Sequence, residues 1–194
     1  PMRRDPMRFL PHQLFDAMRA LWTMTWTEAK LFMREPAAVF FTLAFPLLLL
    51  LVFGAIFGNA PIADSAFGSV DRSVPGYIAI TIGALSLIGV PVTLATYREQ
   101  GVLRRFRVTP LPTWLFLAAH GLVALTMILI GTGLVIGMAY ALFDLRLPTA
   151  PIGVFAATVL SSLSFLAVGV LLGGTLPTAR TAQAVGMALF FPML

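Results

Sequence analysis

The chain has 194 residues, of which 59% are hydrophobic and 11% charged, with a net charge of +5 and a mean hydropathy of +0.93. Soluble domains carry about 25% charged residues, so this composition excludes a soluble globular fold and indicates one domain in lipid. The positive charge is not a nucleic-acid signal, because the basic residues lie in short clusters beside apolar segments. The chain has no cysteine, which excludes disulfides and thiolate metal sites.

An amphipathic helix over residues 12–34 is the first predicted element. Apolar side chains recur there at helical spacing, whereas charged side chains and threonines fill the opposite face. Trp22 and Trp26 are typical of a helix that lies along a membrane surface, with its aromatic rings at headgroup depth in contact with lipid. Glu35-Pro36 ends the helix, since a residue before proline avoids the helical conformation. Packing against a soluble partner is the alternative explanation.

Four apolar runs follow, each long enough to cross a bilayer, which takes about 20 helical residues. They are residues 37–57, 77–96, 114–143 and 152–172, and none contains Asp, Glu, Lys or Arg. A fifth run, residues 182–194, is too short to cross and predicts the start of another span. The sequence therefore predicts an all-α, polytopic helical bundle with an N-terminal interfacial helix, four complete spans and a truncated fifth.

Basic residues determine the predicted orientation. Of the 13 lysines and arginines, all except Arg72 and Arg146 precede the first span, lie between the second and third, or follow the fourth. Basic residues concentrate on the cytoplasmic side of membrane proteins. The N-terminus is therefore predicted to be cytoplasmic.

The sequence contains no constellation typical of an enzyme. A phosphate-binding loop needs a glycine-rich turn followed by a lysine, and the single lysine, Lys30, has no glycine near it. The zinc-protease pattern His-Glu-x-x-His is absent. His120, near the start of a span, is a candidate for transport, although a hydrogen-bonded structural role is more common there. We predict no catalytic, cofactor-binding or metal site in this chain.

Small residues four positions apart predict close helix packing. The glycine pairs with this spacing are Gly54 and Gly58, Gly133 and Gly137, and Gly169 and Gly173. Pro46 and Pro91 lie inside spans, where each removes a backbone donor and predicts a kink. A polar strip of Ser161, Ser162 and Ser164 in the fourth span predicts hydrogen bonds to a neighbouring helix or a substrate path.

Three segments together resemble the permease subunit of type-2 ABC exporters. They are residues 34–58, REPAAVFFTLAFPLLLLLVFGAIFG, residues 97–111, YREQGVLRRFRVTPL, and residues 165–194, FLAVGVLLGGTLPTARTAQAVGMALFFPML. The second is similar to the acidic-glycine-leucine-basic-threonine-proline loop of that family, through Glu99, Gly101, Leu103, Arg104, Arg105, Thr109, Pro110 and Leu111. One departure is Phe106-Arg107-Val108, where the family more often has leucines and a less basic stretch.

The resemblance implies a single transmembrane permease domain over residues 1–194, of the drug-resistance-like kind, although the family normally has six spans. ATP and Mg²⁺ would be bound by a separate ABC ATPase subunit, and this chain would have no ATPase site. A coupling helix, residues 98–109, would dock in that subunit through Glu99, Gly101, Arg104, Arg105 and Arg107.

The resemblance also implies partners and a location. Two permease chains, identical or paralogous, would pair around a translocation path in the cytoplasmic (inner) membrane of a prokaryote. The exported substrate would be a hydrophobic drug, a lipid or a glycan. The alternative function is a membrane-anchored assembly or regulatory protein that binds a soluble partner and transports nothing.

Overall fold

The computed structural model describes residues 12–60, 67–101, 113–146 and 150–193 of the chain. Within these ranges the chain forms helices and no strand. Six helices follow one another in the described ranges: α1 (His12–Met33), α2 (Pro36–Phe57), α3 (Ser69–Glu99), α4 (Thr113–Phe143), α5 (Pro151–Thr175) and α6 (Ala179–Phe190). A short 3-10 turn, Phe191–Met193, follows α6.

Helices α2 to α5 are long and apolar enough to cross a membrane. The predicted all-α polytopic fold is therefore confirmed. Helix α3 begins at Ser69, ahead of the predicted start of the second span at Tyr77. The difference has a local cause: Asp71 Oδ2 accepts a hydrogen bond from Gly68 N at 3.1 Å. That bond satisfies an N–H group at the helix start, and so the helix begins before the apolar run that predicts the span.

Helix α3 is the central helix of the bundle. It contacts α2, α4, α5 and α6. Its most apolar 18-residue stretch is 56% buried, compared with 22% for the corresponding stretches of α2 and α5. Helix α1 packs on α4, and its Ala29 and Phe32 lie against the core that α3 and α4 share. Helix α3 is therefore in direct contact with each of the other spans in the described ranges.

Two of the spans contain a π-helical segment immediately before a buried proline. Phe40–Ala44 precedes Pro46 in α2, and Ala84–Gly89 precedes Pro91 in α3. A proline ring inside an α-helix clashes with the carbonyl group four residues earlier and removes one hydrogen bond. The wider π turn accommodates both effects, so each span continues through its proline instead of ending there.

Glycines bring α5 and α6 close to α3. A Cβ atom at Gly169 of α5 would clash with Ser86 O, and one at Gly173 would lie 2.8 Å from Leu94 Cβ. Gly186 of α6 lies equally close to Leu87 O. Close packing is thus confirmed for the Gly169 and Gly173 pair. By contrast, a Cβ atom at Gly133 or Gly137 would meet no atom within 4 Å in the part of the chain that the structure describes.

The two ends of the bundle carry different side chains. We call the end with Arg34, Arg98 and Arg180 the basic end; there α1 and α3 finish and α6 begins. The opposite end carries Asp71 and Arg146, where α3 begins and α4 has just finished.

Candidate functional site

Two of the predicted coupling residues, Glu99 and Gly101, lie at the C-terminal end of α3. Glu99 is its final residue, and Gly101 adopts φ +69°, a left-handed conformation that favours glycine. Arg104, Arg105 and Arg107 lie outside the described residues, as does most of the predicted coupling helix. Arg98 and Glu99 thus belong to the end of α3, and the chain turns at Gly101 before it enters the basic segment.

Arg98 caps the C-terminal end of α5. Its Nη1 donates hydrogen bonds to the carbonyl oxygens of Gly173, at 3.1 Å, and of Gly174. The last carbonyl groups of a helix have no partner within the helix and carry partial negative charge. The Arg98 guanidinium group donates hydrogen bonds to two of these carbonyl groups and places a positive charge beside them.

Glu99 caps the N-terminal end of α6. Its Oε1 accepts a hydrogen bond from Ala179 N at 2.8 Å. Thr178, the N-cap residue, contributes a second cap, because its Oγ1 accepts from Thr181 N at 3.1 Å. Arg98 therefore places a positive charge at the negative C-terminal end of α5, and Glu99 places a negative charge at the positive N-terminal end of α6. These two helix ends flank the α5–α6 turn, residues 176–178.

A second polar contact at the basic end joins α1, α3 and α4. The Glu28 carboxylate of α1 accepts a hydrogen bond from Tyr97 OH at 3.4 Å, and His120 Nδ1 lies 3.2 Å from the same oxygen. The side chains of His120 and Glu28 are only 14% and 11% exposed. Phe116 packs on both rings, with centroids 5.5 Å from Tyr97 and 6.3 Å from His120.

The 3.2 Å contact with Glu28 agrees with the hydrogen-bonded structural role that the sequence favours for His120. The sequence does not reveal its partner Glu28, because 92 positions separate the two residues. The available signal is weak: Glu28 is an acidic residue on an amphipathic helix whose other face is apolar. A half-buried carboxylate needs polar partners, and Tyr97 and His120 supply them.

A third polar network ties the helices together at the opposite end. Asp71 Oδ1 accepts hydrogen bonds from Asn59 Nδ2 at 3.2 Å and from Arg146 N at 3.1 Å. Asn59 in turn accepts from Asp71 N at 3.1 Å and donates to Phe143 O at 3.0 Å. The network connects the segments that end α2, begin α3 and end α4.

An apolar cleft of about 750 Å³ lies beside α3 toward the opposite end. Its wall includes Ile78, Ile82, Ile136 and Phe165, and Asp71 and Arg146 also line it. Of the predicted serine strip, Ser161 lines the cleft, whereas Ser162 is buried and donates to Thr158 O at 2.6 Å. The volume falls within the range of small-molecule pockets, and an apolar lining is also what helix surfaces that face lipid present.

The predicted interfacial anchors are exposed on α1. Trp22 is 73% and Trp26 58% exposed, and Lys30 Nζ lies 5.3 Å from the centre of the Trp26 ring. The opposite face of α1 packs on α4. The position of these tryptophans in the headgroup layer stays a prediction. Across the described ranges, no three His, Asp or Glu side chains lie close enough together to hold a metal ion.

The comparison with protein families gives one match. The family model described as ABC-2 type transporter matches residues 19–194, most of the chain. No curated protein and no solved structure matches it. With four spans, the match indicates a multi-pass membrane protein and a permease component that is not itself catalytic. The chain belongs to the ABC-2 type transporter family.

Proposed function

We propose that the chain is the membrane-spanning subunit of an ATP-driven exporter, which forms the translocation path and couples to a separate ATPase subunit. The family match over residues 19–194 is the observation that carries this proposal. The apolar runs contain no Asp, Glu, Lys or Arg, and their one histidine, His120, lies against Glu28, whereas proton-coupled transport uses ionisable groups inside the membrane. The energy for transport therefore comes from ATP and Mg²⁺ bound by the partner subunit.

The proposed docking element is the basic segment after Gly101. Arg104, Arg105 and Arg107 follow directly on the left-handed turn at Gly101. A cluster of arginines sets register and orientation on an acidic partner surface. We assign these arginines to a cleft of the ATPase subunit, on the cytoplasmic side of the inner membrane of a prokaryote.

The proposed assembly contains two permease chains, identical or paralogous, around a central path within membrane lipid. Residues 1–194 belong to a single permease domain with its N-terminus in the cytoplasm. The substrate is a hydrophobic drug, a lipid or a glycan. The apolar lining of the cleft beside α3 favours the first two classes.

Copurification and flux measurements test this function. The protein is expressed with a candidate ABC ATPase subunit from the same organism, and both ATPase activity and ATP-dependent substrate movement are measured in proteoliposomes. We expect the ATPase to copurify and the Arg104→Glu,Arg107→Glu double variant to weaken that association, whereas Arg72→Glu, on the other side of the membrane, leaves it intact. Partner binding without ATP-dependent movement of any substrate would favour an assembly or regulatory protein instead.

A further inference from the structure

We propose that Arg98 and Glu99 are positioning residues that transmit movement of the coupling segment to α5 and α6 of the same chain. Glu99 in this view acts on α6 and not on the ATPase subunit. The inference rests on the proposed function, since it concerns how a docked coupling segment moves the spans.

The charges of the two residues match the helix ends that they contact. Arg98 reaches the carbonyl oxygens of Gly173 and Gly174, where the α5 dipole is negative. Glu99 accepts from Ala179 N, where the α6 dipole is positive. Exchange of the two side chains would place like charges together at both ends. The sequence order Arg98-Glu99 thus places a cation at the end of α5 and an anion at the start of α6.

The connection to the coupling segment is short and direct. Only Gln100 separates Glu99 from the left-handed turn at Gly101, after which the basic segment begins. A displacement of that segment therefore acts first on the last turn of α3. From there the two caps carry it to both sides of the α5–α6 turn.

Helix packing explains why the α5–α6 turn would move together with the last turn of α3. Gly169 and Gly173 bring α5 against α3, and Gly186 brings α6 against it, so closely that a Cβ atom would clash or crowd. Such packing fixes the distance between the helices but leaves rotation and sliding to be set by side chains at the ends. Arg98 and Glu99 supply that restraint.

Glu99 already has a partner within the chain, and this distinguishes it from the arginines that follow. Its side chain is exposed, so loss of the hydrogen bond to Ala179 N should loosen the start of α6 without unfolding the bundle. Variants at this position are therefore expected to fold, and their effects report on coupling.

The test compares Glu99→Gln with Glu99→Ala in the full-length protein, with Gln100→Ala as the neighbouring control. An amide oxygen can still accept from Ala179 N, whereas alanine cannot. Three quantities are measured: hydrogen exchange of residues 178–182 in nanodiscs, affinity for the ATPase subunit, and substrate-stimulated ATPase activity. Gln100 is exposed and its side chain makes no hydrogen bond to another described residue.

For Glu99→Ala we expect hydrogen exchange at residues 178–182 to accelerate about tenfold, because one charge-assisted hydrogen bond is lost. Stimulated ATPase activity should fall several-fold while affinity for the ATPase subunit is retained. Glu99→Gln, which keeps an acceptor for Ala179 N but loses the charge, should lie between the wild type and Glu99→Ala in exchange and in stimulation, and should retain affinity for the ATPase subunit. Arg98→Lys, which keeps a charged donor, should likewise retain more stimulation than Arg98→Ala.

Two results would overturn the proposal. Weaker ATPase binding in both Glu99→Gln and Glu99→Ala would mean that the carboxylate faces the partner. Unchanged exchange and unchanged stimulation in Glu99→Ala would mean that the cap transmits nothing. Failure of the proposed function is distinguishable, because the wild-type protein would then bind no ATPase, whereas the exchange measurement needs the permease alone.

Discussion

Glu28 and His120 connect the N-terminal helix to the third span through a 3.2 Å contact between Oε2 and Nδ1. Tyr97 OH donates to the same carboxylate oxygen, so α1, α3 and α4 meet at one atom. An amphipathic helix at a membrane surface binds through its apolar area and through attraction to charged lipid headgroups, and neither fixes its position along the surface. The polar contact gives α1 a defined register on α4.

Removal of the Glu28 carboxylate should loosen α1. Glu28→Ala leaves Tyr97 OH and His120 Nδ1 without their partner in a half-buried site, at a cost of about 1–3 kcal/mol. Glu28→Gln, which retains an acceptor, should cost less. Thermal unfolding in detergent, followed by tryptophan fluorescence, measures the difference. The exposed neighbour Thr27→Ala serves as the control, and a Glu28→Ala midpoint equal to that of the control would contradict a structural role.

Membrane orientation can be tested with single cysteines, because the chain has none of its own. Gln100 and Ala150 are both exposed, the first at the basic end and the second in the segment between α4 and α5. An impermeant thiol reagent applied to intact cells should label Ala150→Cys and leave Gln100→Cys unlabelled until the cells are permeabilised. The converse labelling pattern would place the N-terminus outside.

Close packing of α5 on α3 predicts that one glycine-to-alanine substitution in α5 destabilises the protein and that another is tolerated. Gly169→Ala places a methyl group against Ser86 O, a backbone atom that cannot move away alone. Overpacking of this kind costs about 1–3 kcal/mol. Gly174→Ala meets no atom within 4 Å among the described residues and should be tolerated. Unfolding midpoints of the two purified variants check this, and equal midpoints would show that α5 does not approach α3 so closely.

The network at the opposite end predicts that Asp71 needs both of its carboxylate oxygens. Oδ1 accepts from Asn59 Nδ2 and Arg146 N, and Oδ2 accepts from Gly68 N. Asp71→Asn replaces one acceptor by a donor that faces another donor, and should lower stability by about 1–2 kcal/mol. Arg72→Gln, at an exposed neighbour, should have no such effect. Hydrogen exchange of the first turn of α3 would localise the change, and unaltered exchange there would count against the network.

The spans were predictable because hydropathy needs only local sequence. Residues 37–57 and 114–143 coincide closely with α2 and α4, since about 20 apolar residues suffice to define a crossing. The contacts of the candidate site were not predictable, because Glu99 and Ala179 are 80 positions apart and each residue type is common near a membrane surface. The glycine pairs make the same point. Gly169 and Gly133 have identical spacing patterns, yet only the former lies against a neighbouring helix, and sequence spacing contains no information about that neighbour.

The π segment Ala84–Gly89 separates two halves of α3 that pack against different helices. The half of α3 before it lies mainly against α2 and α4, and the half after it lies mainly against α5 and α6. One extra residue in a turn shifts the angular phase of everything that follows by about 100°. Deletion of Ile88 would leave hydropathy and length almost unchanged. It would nevertheless rotate the second half of α3 and carry Arg98 and Glu99 away from the ends of α5 and α6. The deletion of one residue would thus break the hydrogen bonds that connect the end of α3 to those two helices.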